Sequence, residues 1–168
     1  MSPDLHLSRS DRELLALFAN RPVAALGTLD EAGLPALSMV PFAVLADEGA
    51  LVLHVSELAA HTRQMRREPR VAVLIMGGDD AAETPQALPR VSLSAIATFL
   101  EPGNDRHVRA SATYLARFPQ SELMTQLPDF QFVALAPTAV RHVAGFGAAR
   151  SVDPADLARV LRALPGAA

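Results

Sequence analysis

The spacing of apolar positions changes along the chain, and each change marks an element. Leu14, Leu17 and Phe18 recur at helical spacing after Ser10-Asp11-Arg12-Glu13. That tetrad reads as a capping box, and Arg21-Pro22 stops the repeat, so a helix is predicted over 10–20. Val23 to Leu29 is then short and apolar, Leu34 to Val44 is a second extended run, and Ala50 to Val55 is a third. The connectors Asp30-Glu31-Ala32-Gly33 and Ala46-Asp47-Glu48-Gly49 are short and carry glycine where a turn needs positive φ. Connectors this short force antiparallel neighbours, because a parallel crossover needs about a dozen residues or more. A meander is predicted, not a βαβ unit.

Ser56 to Glu68 returns to helical spacing, with Leu58, Thr62 and Met65 on one face, and Pro69 ends it. Val71 to Met76 predicts a fourth strand. A polar, mobile loop runs from Gly77 to Pro89. Arg90 to Leu100 alternates cleanly and predicts a fifth strand. Asn104 to Phe118 predicts a helix with Val108, Ala112 and Leu115 inward. Phe130 to Val143 is a long sixth strand. Asp153-Pro154 pairs an N-cap with proline at the first helical position, so a closing helix is predicted over 153–164. Six strands with helices between the later ones point to a small antiparallel barrel within one domain spanning 1–168.

Composition narrows the chemistry. Of the 168 residues 50 % are hydrophobic and 20 % charged, which supplies a packed core. Cysteine is absent, so disulfides, thiolate metal sites and thiol nucleophiles are excluded. All 15 basic residues are arginine, which removes a Walker lysine and a Schiff-base lysine. The net charge of −3 argues against nucleic acid as a partner. No apolar run has the length of a membrane span, and Met1-Ser2-Pro3-Asp4 lacks a basic flank and an apolar stretch. A soluble, cytoplasmic protein without membrane or nucleic-acid partners is expected.

Three segments carry candidate chemistry. At Val55-Ser56-Glu57-Leu58 a strand runs into a helix whose first turn offers free N–H groups, with His61, Thr62 and Arg63 one to two turns on and Arg66, Arg67 and Arg70 beyond. This is either a phosphate site or a capping serine beside a solvated basic face. Ser38-Met39-Val40-Pro41-Phe42 places proline in a strand, which implies an edge, a bulge or a barrel mouth, with or without a planar ligand. Gly145-Phe146-Gly147, after His142, lets backbone approach a ligand closely. The five histidines show no metal spacing, and His54 reads as an interior histidine.

Taken in order, these segments resemble the FMN-binding split-barrel proteins related to pyridoxamine 5′-phosphate oxidase, and most of all the haem-utilisation group within them. The stretches that carry the resemblance are Gly27-Thr28-Leu29 with Gly33-Leu34-Pro35, Ser38 to Phe42, Leu53 to Arg63, Pro69-Arg70-Val71, Pro85 to Val91 and Val143 to Gly147. The resemblance implies a mainly β fold with flanking helices, a six-stranded antiparallel split β-barrel, and a homodimer with FMN at the subunit interface. By position, Ser38, Met39, Val40, Pro41 and Phe42 would line the flavin. Ser56, His61, Thr62 and Arg63 would surround its phosphate, and Arg90 would reach the ring. Gly145, Phe146 and Gly147, with Arg150, would close the site from the other subunit.

Pyridoxamine phosphate oxidases carry cationic residues where this chain has Ser38, Ala43, Ala60 and His61, which argues against vitamin B6 oxidation. The larger haem-utilisation relatives have an additional C-terminal domain that 168 residues leave no room for. The expected function is a flavin-dependent oxidoreductase acting on a small-molecule substrate. The alternatives are a haem-binding protein using His142 or His54 as iron ligand, with an arginine pairing a propionate, and a cofactor-free structural dimer.

Overall fold

A computed structural model describes residues 6–80 and 82–165. The reading of Met1 to Asp4 lies outside the described residues. Among the described residues four α-helices are present, α1 (Arg9–Asn20), α2 (Ala60–Arg67), α3 (Asp105–Arg117) and α4 (Pro154–Leu161). Eight strands accompany them: β1 (Val23–Leu29), β2 (Pro35–Pro41), β3 (Ala43–Leu45), β4 (Ala50–Ser56), β5 (Arg70–Met76), β6 (Arg90–Phe99), β7 (Phe130–Val143) and β8 (Ala149–Val152). All pairings are antiparallel, in the order β2-β1-β5-β6-β7-β4-β3, with β8 added beside β7. Among the described residues no helix is long and apolar enough to cross a membrane.

The strand count corrects the expectation of six in two places. The second predicted strand breaks at Phe42 into β2 and β3, which lie at opposite ends of the sheet order. Pro41 has no N–H for a ladder, and Phe42 instead gives its N–H to the Pro22 carbonyl at 3.2 Å. Its ring is fully buried, edge-on to Phe18 with centroids 6.4 Å apart, with the Arg117 guanidinium 4.8 Å away. Burial of such a side chain contributes about 1.5–3 kcal/mol. One residue therefore spans from one sheet edge to the other, and the sheet must curl to let it. β8 is the second difference. Its four residues follow the glycine turn and carry too little apolar alternation to read as a strand. Within β7, Pro137 is accommodated because the register with β6 shifts at Ser94/Ala95.

The interior of the curl is filled by alternate residues of the strands, including Leu26, Leu51, Leu53, Ile75 and Leu135, and is closed by Leu14 and Phe18 of α1, Met65 of α2 and Leu157 and Leu161 of α4. A second cluster lies on the opposite face of β3, β4 and β7, where Ala43, Val52, Phe132 and Ala134 pack on Ala110 and Tyr114 of α3. His54 belongs to this outer layer, with ring centroids 4.9 Å from Phe130, 4.6 Å from Phe132 and 5.6 Å from Tyr114.

Helix ends and phases show which local signals won. α1 is capped by Ser8, not Ser10. Asp11 N donates to Ser8 Oγ at 3.1 Å, and Ser8 N donates to Asp11 Oδ2 at 3.3 Å. Asp11 is held there by Arg150 at 2.8 Å and Arg159 at 3.4 Å, so β8 and α4 select the register of the cap. Burial raises the Asp11 carboxyl, but those hydrogen bonds outweigh it and bring the pKa down to about 2. α3 turns Ala110 and Tyr114 inward, whereas Val108 is 57 % exposed and Ala112 is exposed. Its rotation is fixed by Glu48 of the β3–β4 turn, which pairs with Arg106 and Arg109, each at 2.8 Å. α4 follows the sequence reading, with Asp153 Oδ1 accepting from Ala155 N at 2.8 Å. Between β5 and β6 the loop is braced by Gly77 N donating to Pro89 O at 2.7 Å and by a 3₁₀ turn at Pro85–Ala87.

Gly49 has φ +64°, and a Cβ there would lie 2.6 Å from Ala158 Cβ and 2.9 Å from Ala158 Cα in α4. Gly49→Ala is expected to cost about 2–5 kcal/mol in urea unfolding, from left-handed strain plus overpacking. Gly33→Ala, at φ +78° with open space around it, is expected to cost only about 1–2 kcal/mol. His54 contributes to the pH dependence, together with His61 and His142, which burial shifts in the same direction. Burial, and then the like charge of His107, lower the pKa of His54 from 6.5 to about 4. Between those values the unfolded chain binds more protons than the folded one, so stability falls as pH drops through that window. Urea midpoints measured across it are expected to decline less in His54→Phe than in the wild type.

Candidate functional site

The site is assembled where α2 lies against β1 and the edge strand β2. Side chains alternate along β2. Val40 enters the core, Ser38 faces α2, and Met39 and Pro41 point to the opposite surface. Ser38 Oγ lies 3.2 Å from His61 Nδ1, joining β2 to the first turn of α2. One turn on, Gln64 Oε1 accepts from Thr28 Oγ1 of β1 at 2.6 Å. Burial lowers the pKa of His61, so its ring is neutral at pH 7.

The helix begins later than the sequence predicts. Ser56 is the last residue of β4, and a turn through Glu57 to Ala59 separates it from α2. Ser56 Oγ accepts from Leu58 N at 3.1 Å and donates to Asp129 Oδ2 at 3.3 Å, so this hydroxyl serves the turn and does not cap the helix. The N-cap position is Ala59, which offers no side-chain oxygen to the first-turn N–H groups. Thr62 is fully buried and donates to Ser56 O at 2.6 Å, so it ties the turn down and faces no ligand. Leu58, expected on the buried face, is 81 % exposed because it precedes the helix.

The arginines of α2 and its exit differ in how far they are engaged. Arg66 pairs with Glu57, donates to Gln131 Oε1 at 2.6 Å and lies 4.1 Å from the Phe99 ring centre. Arg67 donates to the Leu29 carbonyl at 2.8 Å and to that of Asp30. Arg70 is paired with Glu68 at 2.8 Å. Arg63 makes only a 2.9 Å bond to the Leu58 carbonyl and meets no carboxylate. Ala60, Arg63, Gln64 and Arg67 line one side of an open cleft of about 540 Å³, and Asp30 to Ala32 of the β1–β2 turn line the other. Gln64 was not among the sequence candidates, and Arg67 entered only as part of the basic run beyond Arg63. The signal for Gln64 was its helical spacing from Ala60 and Arg63, which puts these residues and Arg67 on one face.

The remaining predicted residues sit elsewhere in the chain. Arg90 is on β6, three strands from β2 in sheet order, and its guanidinium donates to the carbonyls of Leu88 at 3.0 Å and Gln86 at 3.3 Å. Gly145, Phe146 and Gly147 form the β7–β8 turn beside that same loop, with Gly147 at φ +73° and Phe146 86 % exposed. Arg150 is turned inward to Asp11 and approaches His142 Nδ1 at 3.5 Å. One chain thus forms two groups: Ser38, Ser56, His61, Thr62 and Arg63 at α2, and Arg90, Gly145 to Gly147 and Arg150 near the β7–β8 turn.

The two histidines expected as iron ligands also separate. His54 projects from β4 into the α3 layer, away from α2. His142 is fully buried in the barrel interior, reached by Arg150, and its pKa is lowered by burial and by Arg150 against the opposing charges of Glu13 and Asp11. It does not reach an open surface. Among the described residues no three His, Asp or Glu side chains gather into a metal site.

Comparison with known proteins places this geometry in a family. The chain matches pyridoxamine 5′-phosphate oxidase over residues 10–144. It is 30 % identical over 150 residues to the heme oxygenase HutZ of Vibrio cholerae, covering 89 % of this chain and 84 % of that protein. It is 34 % identical over 119 residues to the chloroplastic non-canonical heme oxygenase HOZ of Arabidopsis thaliana, covering 70 % of this chain and 34 % of that one. Among solved structures, a heme-binding protein from Mycobacterium smegmatis superposes with TM-score 0.80 at 30 % identity, over 90 % of this chain and 61 % of that one. The HutZ crystal structure superposes with TM-score 0.72 at 24 % identity, over 79 % of this chain and 94 % of that one. The chain therefore spans less than two thirds of the Mycobacterium and Arabidopsis proteins but most of HutZ. By the matched segment and by these relatives, this protein belongs to the pyridoxamine 5′-phosphate oxidase family.

Proposed function

We propose that this protein binds haem and that its site lies on the surface formed by β2 and the N-terminal half of α2. The observation that carries the reading is the similarity to the heme oxygenase HutZ along most of both chains. The donor set fits the same ligand. Haem presents a broad apolar ring, two carboxylates and an iron that takes a neutral imidazole. This surface offers a neutral histidine, an arginine without a carboxylate partner and the exposed apolar side chain of Leu58.

A mononucleotide phosphate, by contrast, is a dianion that calls for concentrated positive charge. Here Ala60 and His61 stand at the start of α2, and Arg66 and Arg70 are already neutralised by Glu57 and Glu68. The flavin reading keeps one specific support, the first-turn N–H groups left without a side-chain cap at Ala59. Titration of the purified chain with haemin and, separately, with FMN distinguishes the two. The expected result is a saturable Soret band with haemin and no quenching of flavin fluorescence with FMN. Flavin binding without haemin binding would overturn the proposal.

We also propose that a second copy of this chain covers the outer face of β2, β1, β5 and β6. Leu37 and Met39 are 80 % and 68 % exposed there, beside a shallow groove of about 640 Å³ whose floor includes Gly27, Ala72, Ser94 and Ile96. Arg70, paired with Glu68, is the charged side chain at the margin of this groove, and an exposed apolar patch of this kind marks an interaction surface. Pro35 and Pro41 at the ends of edge strand β2 disfavour pairing by strand addition, so the contact is face to face. Light scattering is expected to give twice the 17.8 kDa chain mass, and Leu37→Arg is expected to give the single-chain mass. A wild-type chain that is monomeric at micromolar concentration would refute this arrangement.

A further inference from the structure

We infer that His142, Arg150 and Asp11 form an acid-sensitive latch, which ties β8 to the cap of α1 while the imidazole is neutral and lets go when the ring takes up a proton. Among the described residues, His142 Nε2 is the only enclosed side-chain nitrogen or oxygen without a hydrogen-bond partner. The ring is shut in the barrel interior, and its residue has Val91 of β6 and Arg150 of β8 as cross-strand neighbours. Arg150 Nε–H approaches Nδ1 at 3.5 Å, and the same guanidinium donates to Asp11 Oδ1 at 2.8 Å. Asp11 in turn closes the cap of α1 with Ser8 and holds Arg159 of α4 at 3.4 Å. No residue of the α2 surface takes part, so the latch is independent of the ligand bound there.

The neutral ring fits this place and the charged ring does not. Nδ1 faces an N–H, so the neutral imidazole carries its proton on Nε2. A second proton would go onto Nδ1, against the Arg150 N–H, and would set two cations side by side on paired strands. Nε2–H finds no acceptor either. The carboxylates that act on the ring are both on α1. Asp11 is taken up by Arg150 and Arg159, and Glu13 by Arg9 at 3.0 Å. On α4, Asp156 pairs with Arg159 at 3.5 Å. Burial and Arg150 accordingly hold the His142 pKa below 6.5, against the opposing pull of Glu13 and Asp11. Asp11, at about 2, stays ionised where imidazoles titrate. The Arg150 side chain is 36 % exposed and can turn to solvent, whereas the ring cannot move without opening the core. Protonation therefore expels Arg150, and α1 loses its tie to β8. An open state with an ordinary imidazole pKa of 6.5 binds more protons than the latched one. The latch is thus closed above that pH and opens more readily as pH falls below it.

The test is amide hydrogen exchange of the full chain by NMR, read as protection factors at about pH 7.5 and about pH 5.5, with the His142 Cε1–H shift followed over the same range. At the lower pH, linkage raises the opening equilibrium by about five- to tenfold. Protection is expected to fall by that factor at Asp11, at Arg12 and at the paired amides of β8, in step with the His142 titration, while the amides of β4 and β6 keep theirs. His142→Phe is expected to keep the same protection at both pH values. Arg150→Gln is expected to bring the His142 midpoint up towards 6.5 and to remove the pH dependence at the α1 cap, which reads out the latch even if His142→Phe folds poorly. Wild-type protection that is independent of pH, a fall shared equally by the core strands, or a fall that persists in His142→Phe would overturn the latch. So would a His142 midpoint that is the same in Arg150→Gln as in the wild type.

Discussion

Phe42 connects the two ends of the sheet order, and the curvature of the whole sheet answers to that connection. β2 lies at one end of the order and β3 at the other, yet a single residue separates them in sequence. A flat sheet of this order would hold those strands several strand spacings apart, further than one residue can reach. The sheet therefore rolls until its ends meet, and the rolled sheet encloses the core. Pro41 interrupts the ladder at the corner, and the buried Phe42 ring fixes the corner against Phe18. Arg117 adds its guanidinium over Phe42 and donates to the Arg21 carbonyl at 2.6 Å, which ties the end of α3 to the segment after α1.

Two carboxylates do for the helices what Phe42 does for the strands. Asp11 gathers α1, β8 and α4 through Arg150 and Arg159. Glu48 gathers α3 and the β3–β4 turn through Arg106 and Arg109, which, set against the opposing effect of burial, lower its pKa. An amphipathic helix can rotate by tens of degrees with little change in apolar burial when its stripe is broad. These partly shielded ion pairs select one rotation. They explain why the cap of α1 moved from Ser10 to Ser8, and why α3 turned Tyr114 inward and left Val108 outside.

The consequence for function is a family scaffold with altered electrostatics. The fold brings the start of α2 against β1 and β2, the place where an anion would meet helix N–H groups. Yet the side chains there are a neutral histidine, a serine and an alanine, and much of the nearby positive charge is already paired. That arrangement is what favours the proposed haem reading over the flavin one.

Much of the architecture was written in local sequence. The glycine turns at Gly33 and Gly49, the two antiparallel hairpins they close, the long β7, the Asp153-Pro154 start of α4 and the edge position of Pro41 all follow from turn chemistry, period and the missing proline N–H, whereas the continuous meander expected of them is split at Phe42. The order of motifs from Gly27 to Gly147 also marked the family before any coordinates. What the sequence left open depends on contacts far apart in the chain. The Ser38–His61 pair joins residues 23 apart, Ser56–Asp129 joins residues 73 apart, and Asp11–Arg150 joins residues 139 apart. No periodicity encodes such distances, so the roles of Ser56 and Thr62, the enclosure of His142 and the seating of His61 against Ser38 were decided only by tertiary structure.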